Sequence, residues 1–269
     1  MSAETSPGPS RFDRYYGAPS GGTPGTEEVQ RMLEELARFV PEGGSHHHSG
    51  STHLETVRAT ELRVSGSLHV DGDVRSGVLH VSGAGHVGGN LLAREVETSG
   101  SLKVGGSITS AALEVSGSLR AEGGVCTERY THVSGSMRSA WLHSSGGISV
   151  SGGIETGRII GSEVEISGGG QVHAVHGGTV RINERAASVF GGIVRIQVGS
   201  GRRRNFRADE VVATGNALVD RCELGLLRAD VAEVRRNAHI GKVEYYTRCV
   251  VEPGADVGSP PTRLTHPSS

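Results

Sequence analysis

Apolar residues recur at steps of two from Val57 to Val175, and each short alternating run ends at a glycine. The phrase Val64-Ser65-Gly66-Ser67-Leu68 returns as Val115-Ser116-Gly117-Ser118-Leu119 and as Val133-Ser134-Gly135-Ser136-Met137, with weaker copies at Val81-Ser82-Gly83 and Thr98-Ser99-Gly100-Ser101-Leu102. The marker glycines stand at 66, 83, 100, 117 and 135, a period of 17, once 18. Aligned copies put apolar residues into columns: Leu68, Gly85, Leu102, Leu119, Met137; Val70, Val87, Val104, Ala121; Val74, Leu91, Ile108, Val125; Val81, Thr98, Val115, Val133. Residues between them fall on the opposite face, as in strands. A fixed period of this size marks a stacked repeat. The pattern predicts an all-β fold, a single-stranded β-helix (β-solenoid) of about 17 residues per coil.

A second glycine sits six residues after the first, at Gly72, Gly89, Gly106 and Gly123, which divides the coil into about three short sides. Glycine at such corners admits left-handed backbone angles, and neighbouring serine can bond back to the turn. Interior glycine costs a helix about 1 kcal/mol each relative to alanine, and a flexible Gly/Ser linker would not hold aliphatic residues in register over five copies.

In chain order, residues 1–25 are rich in Ser, Pro, Gly and Thr and read as a disordered tail, with Arg11, Arg14 and Tyr15-Tyr16 as a possible sticker. Thr26 caps a short amphipathic helix over 26–40 that ends at Pro41, with Val29, Met32, Leu33, Leu36 and Val40 on one stripe. Its four glutamates against two arginines oppose binding to anionic lipid, so the expected role is to cover the open end of the solenoid or to dock on a protein partner. Residues 41–53 read as a flexible linker carrying His46-His47-His48 and His53, without metal-ligand geometry. The solenoid occupies 54–258, and 259–269 form a disordered C-terminal tail after Pro260-Pro261. After Gly135 the glycines fall at 146 and 152, which reads as one short side skipped. Strands are expected at 180–182 and 193–198, a loop at Gly201-Arg202-Arg203-Arg204-Asn205, and a longer self-similarity of 21 relates Arg207-Ala208-Asp209 to Arg228-Ala229-Asp230. About a dozen coils at the strand spacing would make a rod about 55 Å long.

Composition agrees with a narrow aliphatic core: 42 glycines but only 1 Trp, 5 Tyr and 4 Phe in 269 residues. A net charge of −2 gives no overall pull toward nucleic acid or membrane. Three scattered cysteines without a C-x-x-C pair argue against a disulfide framework or zinc site and for a reducing, cytoplasmic setting. No apolar run is long enough for a membrane span. P-loop, nucleophile-elbow and metal signatures are absent from the sequence, so no catalytic residue, metal or cofactor is assigned and the expected protein is not an enzyme.

The phrase V-S-G-S-L-x-V-x-G-x-[VI] and the closing Ala238-His239-Ile240-Gly241-Lys242-Val243-Glu244-Tyr245-Tyr246, followed by Val250-Val251-Glu252-Pro253-Gly254-Ala255, resemble the bactofilins, polymer-forming bacterial cytoskeletal proteins, over residues 54–258. That resemblance implies a right-handed β-helix with a triangular core, assembling end to end into filaments without nucleotide and positioning protein partners. Exposed strand edges over an apolar core are the physical basis for such stacking. Leu54, Val57 and Leu62 at one end, and Val250, Val251 and Val257 at the other, are the candidate polymer interface. One outward column, His69, His86, Lys103, Arg120 and Arg138, with Arg202, Arg203, Arg204 and Arg207, is a candidate ladder for an anionic partner such as an acidic tail, polysaccharide or nucleic acid. Protein partners are expected at the N-terminal helix and the tails. The alternative is a capped β-helix of the hexapeptide-acyltransferase or carbohydrate-binding type that acts on a ligand along one face.

Overall fold

The structure, a computed structural model, describes residues 26–182 and 206–265. Among these residues one helix, α1 (Thr26–Arg38), precedes nineteen strands. These are β1 (Ser45–His48), β2 (Ser51–Leu54), β3 (Val57–Val64), β4 (Ser67–Val70), β5 (Val74–Val81), β6 (Ala84–Val87), β7 (Leu91–Thr98), β8 (Ser101–Val104), β9 (Ile108–Val115) and β10 (Ser118–Ala121). They continue as β11 (Val125–Val133), β12 (Ser136–Val150), β13 (Gly153–Ile166), β14 (Gly169–Ile182), β15 (Phe206–Val219), β16 (Cys222–Val234), β17 (His239–Val251), β18 (Asp256–Val257) and β19 (Thr262–Arg263). Strand pairs with its counterpart one coil on, always in parallel, to build a β-solenoid of about 11 turns.

A coil has three sides. In the coil of β4 and β5 these are Ser67–Val70, then Val74–Ser76, then 78–81 after a bend at Gly77, and Leu68, Val70, Val74, Ser76, Leu79 and Val81 point inward and are buried. The columns read from the sequence all lie in this core, and the structure adds two more: Leu62, Leu79, Val96 and Leu113 on the third side, and the small residues Ala59, Ser76, Ala93 and Ser110 at the bend. Small residues belong there because two sides converge at that corner and leave no room for Leu or Ile.

The marker glycines serve a purpose other than the expected one. Among described glycines only Gly43 and Gly254 have positive φ, at +99° and +93°. At Gly66, Gly83, Gly100, Gly117, Gly135, Gly152 and Gly168 an added Cβ would lie closer than 3.0 Å to a backbone atom of the previous coil. The following residue donates to that glycine carbonyl: Ala84 N–H to Gly66 at 2.9 Å, Ser101 to Gly83 at 2.9 Å, Ser118 to Gly100 at 2.8 Å and Ser136 to Gly117 at 2.8 Å. Backbone stacks directly on backbone here, so a side chain has no place. At the second corner a polar ladder does similar work: Asn90 N–H donates to Asp73 Oδ1 (2.7 Å), Ser107 N–H to Asn90 Oδ1 (2.9 Å) and Gly124 N–H to Ser107 Oγ (3.2 Å).

No side is skipped after Gly135. Ser136, Met137 and Arg138 pair with Ser118, Leu119 and Arg120 below and with Gly153, Ile154 and Glu155 above, and Gly152, not Gly146, continues the marker column. Ala140 takes the place of the second glycine, its N–H donating to Gly123 O at 3.0 Å, and the ring of the next residue, Trp141, lies over Gly124. The single 18-residue step is a local bulge between Thr127 and Tyr130. The 21-residue similarity is not structural either: Arg207 pairs with Glu223 and Val211 with Leu227, a step of 16 set by the inward apolar residues. The predicted strand at 193–198 and the Arg202–Arg204 loop lie outside the described residues, as do residues 1–25 and the last four of the C-terminal tail.

Two segments expected to be unstructured belong to the solenoid. His46 and His48 on β1 stand over the inward Leu62 and Val64, and β2 pairs with β4, so residues 45–54 make a first coil with polar inward residues. At the other end Thr262 and Arg263 pair with Glu244 and Tyr245. The helix does not cover an end. It lies along one flank, with Val29 and Met32 against Cys126, Ala140 and Trp141, and Leu36 against Leu92 and Ala111. Outward positions on these coils are apolar where α1 covers them, and Glu35 reaches Arg75 at 2.7 Å beyond them.

Gly117→Ala should destabilise the solenoid by about 3 kcal/mol, since neither stacked backbone can move without breaking register, whereas Gly50→Ala, with nothing within 4 Å of its Cβ position, should stay within about 0.5 kcal/mol. Urea unfolding followed by circular dichroism measures both.

Candidate functional site

Register carries one outward column along the first side of every coil. His53, His69, His86, Lys103, Arg120 and Arg138 follow one another on β2, β4, β6, β8, β10 and β12. The column then continues as Glu155, Gln171, Arg207, Glu223, His239 and Asp256. All five residues of the sequence-read ladder stand in this column, and so does Arg207. Like charges at strand spacing repel, and the structure offsets most of them. Arg120 Nε donates to Glu122 at 2.9 Å, Arg138 Nε to Glu155 at 2.7 Å, and Arg207 Nε lies 2.7 Å from Glu223. Lys103 has no ion pair among the described residues. The expected cationic stripe is therefore a basic first half followed by alternating signs.

Three imidazoles stack at the start of the column. The His53 ring meets His69 edge-on with centroids 4.8 Å apart, and His69 stacks on His86 at 4.6 Å. Asp71, at the corner beyond β4, lies between two of them: His53 Nε2 is 2.7 Å from Oδ2 and His69 Nε2 is 3.1 Å from Oδ1. These contacts hold the Asp71 carboxyl below its ordinary range, His53 contributing most. Neither His53 nor Asp71 was assigned to this group from the sequence. The signal was present in the 16-residue step from Leu54 to Val70, which puts His53 over His69, but the polar first coil hid it.

Further along the same side an open groove of about 680 Å³ runs over Leu119, Met137 and Ile154 between Arg120, Arg138, Gln171 and Arg207. Other titratable groups lie elsewhere. Burial pushes the Cys126 thiol up to about 12, with Glu28 adding to it, and Cys222 and Cys249 also move up by burial, so all three free thiols stay protonated. At the C-terminal end the nearly buried Glu244 is held low by Lys242 at 2.7 Å and by Arg228 at 2.6 Å.

The candidate interface residues fall into two groups. Leu62 lies beneath His46 of the first coil and so is not at the end, whereas Val57, though buried, pairs only with Val74 among the described residues and keeps its other edge toward the end; Val250 pairs with Glu233 on an outward position. Leu54, Val251 and Val257 do stand at the termini, with Val251 39% exposed. Among the described residues no helix is long and apolar enough to cross a membrane. Comparison with family models, with curated proteins and with solved structures finds no match for this chain.

Burial lowers the imidazole pKa of His143 and His176, and that of His86, where His69 and Lys103 add to the effect. The unfolded chain then binds these protons more tightly than the fold does. Stability is full above the ordinary histidine value of 6.5 and falls as pH drops below it. The urea midpoint should be lower at about pH 5.5 than at about pH 7.5, and His143→Gln should shrink that difference; an unchanged difference in the variant would show that His143 titrates alike in both states.

Proposed function

We propose that this chain is a non-enzymatic cytoplasmic scaffold that self-assembles end to end without nucleotide, as the bactofilins it resembles do, and that positions protein partners through its flank helix and terminal segments. The observation that carries this reading is the state of the ends. Among the described residues each terminal coil has one strand edge with no coil beyond it, over a core that runs from coil to coil, and α1 lies on the flank and covers neither edge.

Head-to-tail stacking keeps every pairing parallel and every column continuous. It is a heterologous contact that does not close on itself and so gives an open polymer. In such a junction Val257 meets Leu54, because both belong to the Val70 column, and Val251 meets His48 in the Val64 column. Asp256 falls over His53 in the outward column, which adds opposite charge when the histidine is protonated.

The second reading, a ligand-binding or ligand-modifying β-helix of the acyltransferase or carbohydrate-binding type, draws on the groove lined by Arg120, Arg138 and Arg207. Neutralisation of two of these arginines by Glu155 and Glu223 weakens its attraction for a polyanion.

Negative-stain electron microscopy of the purified full chain without nucleotide tests the scaffold. Filaments are expected for the parent protein and short discrete rods for Val257→Glu, whose carboxylate would be buried against Leu54. Removal of residues 26–38 should leave filaments but add side-by-side bundling through the uncovered Trp141 and Leu92. Discrete particles in every sample would sink the proposal and favour the groove.

A further inference from the structure

We propose that His53, His69 and Asp71 form a binding site for a divalent first-row transition cation of the Zn²⁺ type. Three donor atoms, one from each side chain, lie within 4.8 Å of one another. They are carried on paired strands, so the backbone sets their spacing: His53 is the register partner of His69, and Asp71 follows two residues later, where its N–H donates to Leu54 O at 3.0 Å. The carboxylate already accepts from both imidazoles, at 2.7 Å and 3.1 Å. A cation would take the place of those shared protons.

Donor chemistry fixes the class of ion. Two imidazoles and one carboxylate suit Zn²⁺, Co²⁺, Ni²⁺ or Cu²⁺, whereas Mg²⁺ and Ca²⁺ take oxygen donors. Bonds of about 2.0–2.1 Å require the two imidazoles to swing toward each other, which exposed side chains on a fixed backbone can do by rotation about χ1 and χ2. His86 stacks behind His69 at 4.6 Å and limits where that ring can go. Three protein donors leave a coordination position for water. Because His53 sits on the first coil and the other two donors on the second, a bound ion would clamp the terminal coil to its neighbour and stabilise the end of the rod.

Nearby His46, His47 and His48 are the rival. His46 and His48 stack at 6.3 Å, but no carboxylate joins them in a three-donor cluster among the described residues. The test is titration of the chelator-treated full chain with Co²⁺, read by its visible absorption, and with Zn²⁺ by calorimetry. One equivalent is expected to bind, with an affinity about tenfold or more weaker in Asp71→Asn and His69→Gln and unchanged in a variant with His46, His47 and His48 all replaced by Gln. Far-UV circular dichroism verifies that each variant is folded. Zn²⁺ should also raise the melting temperature of the parent and not of Asp71→Asn. Absence of binding to the folded parent, equal binding by Asp71→Asn, or loss of binding in the triple variant would each overturn the site. None of these readouts depends on whether the rods polymerise.

Discussion

Direct contact between the backbones of successive coils at the marker-glycine corner is the constraint on which this structure depends. The Gly83 carbonyl accepts from Ser101 N–H at 2.9 Å, and the same carbonyl would collide with a Cβ on Gly100. Hydrogen bond and exclusion therefore come from one geometry. Because it recurs at each marker glycine from 66 to 168, the corner fixes the register of the first side, and a one-residue slip would turn every inward Leu and Val outward. Later coils solve the corner in another way: Arg221 and Asn237 adopt φ of 48° and 62°, and Gly254 has φ of 93°. The solenoid keeps its core while changing its turn, which is why the 17-residue rhythm fades toward the C-terminus although the pairing does not.

What was legible in the sequence was periodic. Columns such as Val70, Val87 and Val104 are inward and buried as read, because alternation and a fixed period are direct imprints of a strand stacked on its own copy. What was not legible depends on neighbours distant in the chain. The stripe Val29, Met32, Leu36 announces that α1 needs a partner, but Leu92, Ala111, Cys126 and Trp141 form a surface only after four coils have stacked. The first coil escaped notice because His46, His48 and Thr52 occupy positions that are aliphatic elsewhere. Its polarity follows from its place: an inward residue of a terminal coil has core on one side only, so histidine and threonine cost little there.

Charge along the outward column illustrates a related point. Five basic residues at one period look like a polycation-lined face. A strand spacing of about 4.8 Å, however, makes each side chain a neighbour of the residues above, below and two along, and the chain supplies Glu122, Glu155 and Glu223 at those places. Exposed pairs of this kind contribute little stability, about 0–1 kcal/mol each. Their larger effect is to remove repulsion that would otherwise accumulate with every coil.

The rod is consequently asymmetric in a way that bears on assembly. One end is a short coil of polar inward residues closed by Leu54; the other carries Val251 and Val257 beside the paired Glu244. Two identical apolar ends could stack in either direction, and head-to-head contact would require antiparallel or unpaired edges. Unlike ends remove that ambiguity, because only a head-to-tail junction sets Val257 on Leu54 and Asp256 near His53 while continuing parallel pairing. His53 then belongs at once to the terminal edge and to the cluster with His69 and Asp71. An ion held there would draw the His53 ring toward Asp71 within the same chain and away from the next. In the proposed polymer, the contact with the next chain and occupancy of the proposed cation site would compete for the same side chain.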